Sequence, residues 1–164
     1  MTMTVIKPTE GRSVSFRGLG ARFLIGGEQT GGRFSLVEHP IAPRALAAPM
    51  HVHEYEDEYS FVLEGRVGVR IGDEERIVGP GELVFKPRGI PHAFWNAGDE
   101  PARLLELISP AGFEEYFAEI APLLPPNVEE PRNAELAAVM ARYGLAMDFD
   151  SIPDLVERHG LRAG

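Results

Sequence analysis

Four residues whose side chains commonly bind metal ions lie in two short segments of this sequence. His51 and His53 are separated by one residue, Glu58 follows five residues later, and His92 lies further along the chain. Three imidazoles and one carboxylate form a mixed nitrogen and oxygen donor set, which suits Mn, Fe, Ni, Co, Cu or Zn. Because the chain has only five histidines, the placing of three of them here is informative. The four residues are therefore candidate ligands of one divalent transition metal ion.

The spacing of the candidate ligands predicts that β-strands position them. Residues i and i+2 of a strand face the same side, so His51 and His53 would project inward together. The glutamate follows at a distance that allows a turn and the start of a returning strand. Pro87 and Gly89 predict a rigid bend that brings His92 in from a neighbouring strand. The four side chains are therefore expected to converge on one point.

Composition places the chain among globular proteins with one sizeable core. Its 164 residues are 44% hydrophobic and 25% charged, values typical of a single domain. The formal net charge of −9 disfavours nucleic acid or an anionic membrane as a partner. The absence of cysteine excludes disulfides, thiolate ligands and thiol nucleophiles. No apolar run approaches the roughly 20 residues of a membrane span, and the first ten residues lack a signal-type apolar core, so we expect a cytoplasmic protein.

The first two thirds of the chain are predicted to consist of short strands. Turn residues, many of them glycine pairs, separate runs rich in β-branched and aromatic residues, a pattern typical of a sandwich or barrel. A tight hairpin turn is expected at Glu64 and Gly65. The predicted strands cover residues 14–16, 22–25, 33–37, 59–63, 67–71, 75–78, 83–85 and 102–108.

After Pro110 the apolar period changes from two to 3.6 residues, which predicts helices. One apolar stripe is formed by Phe113, Tyr116, Phe117 and Ile120, and a second by Leu136, Val139, Met140 and Tyr143. Ser151 and Asp154 resemble a capping box that opens a last short helix ending near Gly160. We therefore predict a barrel domain over residues 1–110 and a helical extension over residues 111–164 that packs on its exterior.

Two spaced motifs resemble those of the cupin family. They are His51-x-His53-x4-Glu58-x6-Gly65 and Gly81-x5-Pro87-x-Gly89-x2-His92-x3-Asn96. One departure is Ala45, which stands where the family's first motif usually opens with glycine. The resemblance covers roughly residues 30–110 and implies a mainly β fold, the double-stranded β-helix or jelly-roll barrel. It also implies that the two histidines of the first motif, its glutamate and the histidine of the second are metal ligands.

Strand alternation extends the prediction from the ligands to the pocket. If the glutamate ligand points inward, Ser60 and Val62 do so as well, and Phe94 accompanies the last histidine. Lys86 is expected to face solvent, which by alternation turns Leu83 and Phe85 inward. We therefore predict that the pocket is mostly apolar and that the substrate-binding residues are Ser60, Val62, Phe85 and Phe94, with the two phenylalanines stacking on a planar ring.

Other residues near the motifs are predicted to be structural or solvent-exposed. Tyr59, Phe61 and Leu63 should form an apolar outer face that needs a cover, either the 113–120 stripe or a second subunit, and a homodimer is preferred. The acidic residues Glu54, Glu56 and Asp57 predict a solvated loop, with a higher local cation affinity as the alternative. His39 and His159 lie outside both motifs and are expected to be structural or surface residues.

The flanks of the motifs carry a more specific resemblance. Residues 30–35 and 109–115 resemble bacterial single-domain cupins of the quercetin 2,3-dioxygenase-like group. This implies a dioxygenase that acts on a polyphenol or another enol-type small molecule, with dioxygen as co-substrate and Glu58 as general base. Two alternatives stay open: a redox-neutral metal-dependent isomerase or lyase, and a non-catalytic module that binds a small ligand.

Overall fold

Two antiparallel β-sheets form most of the molecule. A computed structural model describes residues 4–124 and 133–162 of the chain. The strands are β1 (Ser13–Phe16), β2 (Leu19–Ile25), β3 (Ser35–Ile41), β4 (Leu46–His53), β5 (Asp57–Glu64), β6 (Val67–Ile71), β7 (Glu74–Val78), β8 (Leu83–Lys86), β9 (His92–Asn96), β10 (Ala102–Ser109) and β11 (Leu145–Met147). The helices are α1 (Gly27–Thr30), α2 (Glu114–Ile120), α3 (Asn133–Arg142) and α4 (Ser151–His159), with a 3-10 turn at Ala121–Leu123.

The sheets contain six and five strands. The six-stranded sheet has the order β1-β2-β3-β10-β5-β8, and the five-stranded sheet has the order β11-β4-β9-β6-β7. Strands far outnumber helices among the described residues, so the mainly β jelly-roll prediction is confirmed. None of the described helices is long and apolar enough to cross a membrane.

Alternating burial along the central strands places one set of side chains between the sheets. In β10, Ala102, Leu104, Glu106 and Ile108 are buried while the residues between them are partly exposed. In β5 the same alternation buries Glu58, Ser60 and Val62, as predicted. This period of two is what a half-buried antiparallel strand requires. The interior therefore combines a large apolar core with a small set of polar groups.

The predicted hairpin between β5 and β6 depends on a glycine. Gly65 has a φ of +79°, and a Cβ atom added there would lie 2.7 Å from Ala102. Any other residue at this position is therefore disfavoured both by backbone conformation and by the close approach of β10. The turn is also where the first of the two sequence motifs ends.

The first apolar stripe after Pro110 packs against strands of the six-stranded sheet. This stripe is buried in the main core and consists of Phe113, Tyr116, Phe117 and Ile120. The ring of Phe117 stacks on that of Phe16 in β1. The stripe does not cover the outer face of β5, where Phe61 is 39% exposed. That candidate for the cover is therefore wrong. The division into a barrel domain and an extension at residue 110 stays a prediction.

Two details of this region differ from the sequence-based expectation. β11 is an unpredicted strand that pairs with β4, with Met147 opposite His51 and Leu145 opposite His53. The expected capping box of α4 is wrong, because the N-cap residue is Asp150 and Ser151 donates its hydroxyl to the Asp148 carbonyl instead. Short strands and caps of this kind depend on tertiary partners, which a local pattern does not contain.

Candidate metal centre

The four predicted ligands meet in the interior between the two sheets. His51 and His53 come from β4, His92 from β9 and Glu58 from β5, and all four are buried. Their ligand atoms lie within 4.8 Å of one another. His51 is directly opposite His92 in the β4–β9 pair, which explains how distant segments reach one point. The predicted convergence is confirmed by this geometry.

Backbone carbonyls fix the orientation of two of the imidazoles. The Nδ1–H of His51 donates to the Pro49 carbonyl at 2.8 Å, and the Nδ1–H of His92 donates to the Ile90 carbonyl at 3.0 Å. The Nε2 atom of each ring is then the one left to bind a cation, and that of His92 lies 3.2 Å from Oε2 of Glu58. Burial lowers the pKa of both rings, that of His51 well below its ordinary value. Neutral imidazole is the form that ligates metals, so these donors fit a divalent transition ion.

The third imidazole has a carboxylate behind it. The Nδ1 atom of His53 lies 3.5 Å from Oε2 of Glu56, and its Nε2 atom lies 3.5 Å from Oε1 of Glu58. Glu56 is buried, so its prediction as part of a solvated loop is wrong. Its neighbour Asp57 pairs with Arg88, while Glu54 is exposed as expected. A carboxylate behind a ligating histidine is a common way to orient the ring and increase its basicity.

Lys86 is buried beside the ligands, contrary to the prediction that it faces solvent. It is 1% exposed, and its Nζ lies 2.8 Å from Oε2 of Glu58 and 3.1 Å from Oε2 of Glu106. The hydroxyl of Ser60 donates to the same Glu106 oxygen at 2.8 Å. The cause is the register of the β5–β8 pair, in which Lys86 is opposite Glu58 and therefore shares its inward face.

The reversed alternation of β8 also changes the predicted pocket. Leu83 and Phe85 are 60% and 48% exposed, and Phe85 stacks on Tyr59 outside the barrel with ring centroids 4.9 Å apart. The prediction that Phe85 faces the pocket is therefore wrong. Ser60 and Val62 point inward as predicted, but neither is among the described residues that line the cavity. Phe94 does line it.

Charges inside the barrel shift the pKa values of the three ionic groups in different directions. Burial raises the pKa of Glu58, but the charges of His53 and Lys86 outweigh it and hold this pKa well below its usual range. Burial lowers the pKa of Lys86, but Glu106 and Glu58 raise it above its ordinary value. Burial raises the pKa of Glu106 to about 7, against the opposing effect of Lys86. The network therefore holds an ionised ligand next to a carboxyl group that can exchange a proton near neutral pH.

A largely apolar cavity of about 540 Å³ opens onto the ligand set. Its polar lining includes His51, His53, Glu58, Lys86, Glu106 and His39, and its apolar lining includes Phe16, Leu19, Phe94, Phe113, Tyr116, Phe117 and Ile120. The sequence did not single out Glu106, and it assigned His39 only a structural or surface role. One available signal was alternation: Glu106 lies between Leu104 and Ile108 on the buried face of β10.

Comparisons with known proteins agree with this fold and site. Residues 38–108 match the family described as Cupin domain. The solved structure of the polyketide cyclase RemF from Streptomyces resistomycificus is 31% identical, with a TM-score of 0.57, over 66% of this chain and 80% of that one. The chain belongs to the cupin superfamily.

Two curated proteins match a shorter segment. The tetracenomycin polyketide synthase protein TcmJ from Streptomyces glaucescens is 38% identical over 60 residues, which are 37% of this chain and 40% of that protein. The polyketide synthase CurC from Streptomyces cyaneus is 35% identical over 60 residues, which are 37% of this chain and 39% of that protein. The matched segment thus spans about two fifths of each curated relative.

Proposed function

We propose that this chain is a metal-dependent enzyme that acts on a flat, oxygen-rich small molecule, such as an aromatic polyketide or a polyphenol. The proposed reaction is a redox-neutral ring closure with loss of water. The observation that carries the proposal is the apolar cavity of about 540 Å³ that opens onto the buried donor set. Sites for small organic substrates combine an apolar wall with a few convergent polar groups in this way. The likeness to a polyketide cyclase and to two polyketide synthase proteins supports the substrate class.

The four predicted ligands supply the electrophilic end of the proposed site. His51, His53, Glu58 and His92 would hold one divalent transition ion, which when bound would polarise a carbonyl or enol oxygen of the substrate. Glu58 is already ionised because the charges of His53 and Lys86 hold its pKa low. It therefore suits the role of a ligand better than the role of general base that the resemblance implied.

Glu106 is the group we propose for proton transfer. It lines the cavity, and its Oε1 atom has no hydrogen-bond partner among the described residues. In a condensation a carbon–carbon bond forms between an enol carbon and a carbonyl carbon, and the enol O–H becomes a carbonyl by losing its proton. The new bond becomes a double bond when the enol carbon loses its remaining proton, and the two protons leave with the former carbonyl oxygen as water. These steps need no oxidant, but they need one group that accepts and returns a proton. A carboxyl group with a pKa of about 7 is suited to this at neutral pH.

A dioxygenase is the second candidate. Four protein ligands leave two positions of an octahedral shell, which suit a substrate oxygen and dioxygen. The quercetin 2,3-dioxygenase-like resemblance of residues 30–35 and 109–115 favours the same chemistry. In that case a polyphenol would bind through its hydroxylate, and both atoms of dioxygen would enter the product.

One experiment separates these candidates. The purified protein is analysed for metal content, loaded with Mn, Fe, Co, Ni or Zn, and incubated with flavonols, catechols and linear polyketones with and without oxygen. A product lighter by one water, formed without oxygen, supports the cyclase; a product that contains both atoms of dioxygen, formed with oxygen uptake, supports the dioxygenase. Tight binding with no turnover in any combination would reduce the proposal to a ligand-binding module.

Variants make the test specific for the proton-transfer residue. Glu106→Gln keeps the shape of the side chain and should lower turnover about 100- to 10,000-fold with unchanged metal content. His159→Gln is the matched control, because this histidine stacks on Trp95 and is not among the described residues lining the cavity. Full activity in Glu106→Gln would contradict the assigned role.

We also infer that two copies of the chain associate through the outer face of β5 and β8. Phe61, Leu83 and Phe85 are exposed side by side there, and β8 is the edge strand of its sheet. A contiguous apolar face of this kind is typical of a protein interface. Light scattering after size-exclusion chromatography should show a dimer for the natural chain and a monomer for Phe85→Ser. A monomeric natural chain would contradict this inference.

A further inference from the structure

His39 occupies the cavity at a distance from the ligand set. It lies on β3 opposite Leu104 of β10, and Leu104 is in turn opposite Val62 of β5. Since Glu58 lies opposite Ile108, one inward-facing row of side chains, that of Glu106 and Ser60, lies between the row of His39 and the row of Glu58. His39 is almost completely buried, and it lines the same cavity as the ligands.

The His39 ring is held in one orientation and one tautomer. Its Nδ1–H donates to the Gly20 carbonyl at 2.7 Å, and the edge of Phe117 packs on the ring with centroids 4.8 Å apart. Burial lowers the pKa of His39 to about 4, so the ring is neutral at physiological pH. A neutral imidazole with its proton on Nδ1 presents a lone pair at Nε2. This Nε2 atom makes no hydrogen bond to any of the described residues.

The surroundings of His39 make this acceptor chemically distinctive. The nearby cavity wall is apolar and includes Phe16, Leu19 and Phe117. When a ligand excludes water from such a setting, an acceptor left without a partner is costly, so a ligand that donates a hydrogen bond there gains more than one that cannot. The site would thus prefer ligands that carry a hydrogen-bond donor at the end facing His39.

We propose that Nε2 of His39 accepts a hydrogen bond from a hydroxyl group of the substrate, at the end of the molecule away from the ligand set. His39 is then a specificity-determining residue, and the favoured ligands are planar aromatic molecules with a free hydroxyl at that end. The inference rests on the proposed function in one respect: it takes this cavity as the substrate site.

Two simple probes test the proposal without turnover. 2-Naphthol donates a hydrogen bond, whereas 2-methoxynaphthalene has a similar shape and does not. Binding of each to the protein as purified is measured by calorimetry, and the measurement is repeated after chelator treatment to separate any binding of the hydroxyl at the metal. We expect the natural chain to prefer 2-naphthol by about five- to tenfold, the value of one net hydrogen bond.

Variants at His39 decide the origin of that preference. His39→Phe keeps a ring against Phe117 but removes the acceptor, so the preference should fall to about onefold, while His39→Gln, which supplies a carbonyl oxygen, should retain part of it. His159→Phe is the control and should leave it unchanged. An unchanged preference in folded His39→Phe would overturn the proposal.

A measurement on the natural chain keeps the test valid if His39→Phe does not fold. In ¹⁵N spectra of the labelled protein, saturating 2-naphthol should move the Nε2 resonance of His39, and 2-methoxynaphthalene should not. An unmoved resonance would overturn the proposal. The two proposals can fail separately. If the preference for 2-naphthol depends on His39 but no turnover is found, the role of His39 stands and the proposed enzyme activity fails. If turnover is found but the preference does not depend on His39, the enzyme activity stands and the role of His39 fails.

Discussion

The two sheets face the same cavity but contribute different chemistry to it. The five-stranded sheet supplies three imidazoles, His51, His53 and His92, from the adjacent strands β4 and β9. The six-stranded sheet supplies the charged groups Glu58 and Lys86, together with Glu106. One wall of the site is therefore built from imidazole donors and the other from an ionic network.

This difference shows two ways of keeping polar groups in an apolar interior. The imidazoles of His51 and His92 are satisfied by backbone carbonyls, and burial itself keeps them neutral. The carboxylate of Glu58 has no such option, because a buried charge needs an opposite charge beside it. Lys86 provides that charge and links Glu58 to Glu106. The two walls should therefore respond differently when single residues are removed.

The largest effect is expected for metal binding, where both walls are needed. His51→Ala removes a donor from the five-stranded sheet, and Glu58→Gln removes the carboxylate from the six-stranded sheet. Each should weaken metal binding more than about 100-fold, which exceeds the loss from removing a residue that only orients a ligand. Elemental analysis after dialysis measures this, with His159→Ala as a control that keeps its metal. Full occupancy in both ligand variants would disprove the donor set.

The ionic wall should show the next largest effect, in stability. Lys86→Met leaves the carboxylates of Glu58 and Glu106 buried without a cation, and should lower the free energy of unfolding of the chelator-treated protein by about 3–5 kcal/mol. Adding Glu106→Gln removes the second buried carboxyl group and should restore part of the loss. Urea unfolding measures both. A loss in the single variant no larger than that of a surface lysine would show that the network is not a stabilising unit.

The parts of the site that the sequence predicts are those set by alternation within one strand, and the parts that it misses are set by pairing between strands. The ligands and the inward direction of Ser60 and Val62 follow from a period of two, which a sequence displays directly. Which side chains of β8 face inward cannot be read from the sequence, because this depends on the register of β8 against β5. A lysine whose partner is unknown is expected to face solvent. With Lys86 opposite Glu58, the alternation reverses and Phe85 moves to the surface.

The fold was predictable to a similar extent. The mainly β architecture, the hairpin at Gly65 and the buried stripe of α2 follow from turn residues and apolar periodicity. The pairing of β11 with β4 and the location of α2 over the cavity do not, since both depend on contacts between distant segments. The role of His39 belongs to the same class, because only the cavity reveals its free Nε2 atom.

A smaller and pH-dependent effect is expected at His39. Its pKa is about 4 in the folded chain and about 6.5 when unfolded, so between these values the unfolded state binds a proton that the folded state excludes. The stability from this group is present above pH 6.5 and is lost as the pH falls to 4, by about 3 kcal/mol at most. His39→Phe should therefore lose less stability than the natural chain between pH 7 and pH 4.5 in urea unfolding. Equal losses would contradict the buried, neutral state of the ring.

The smallest effect is expected on the outer face of the ionic wall. Glu38 pairs there with Arg22 at 2.7 Å and with Arg103 at 3.3 Å, and all three side chains are partly exposed. Glu38→Gln should lower the free energy of unfolding by about 0.5–1 kcal/mol, because solvent screens both the pairing and its loss. The loss should become smaller in 1 M salt, where the screening length is about 3 Å, whereas the effect of Lys86→Met should persist. A salt-insensitive loss at Glu38 as large as that at Lys86 would mean that burial does not distinguish the two networks.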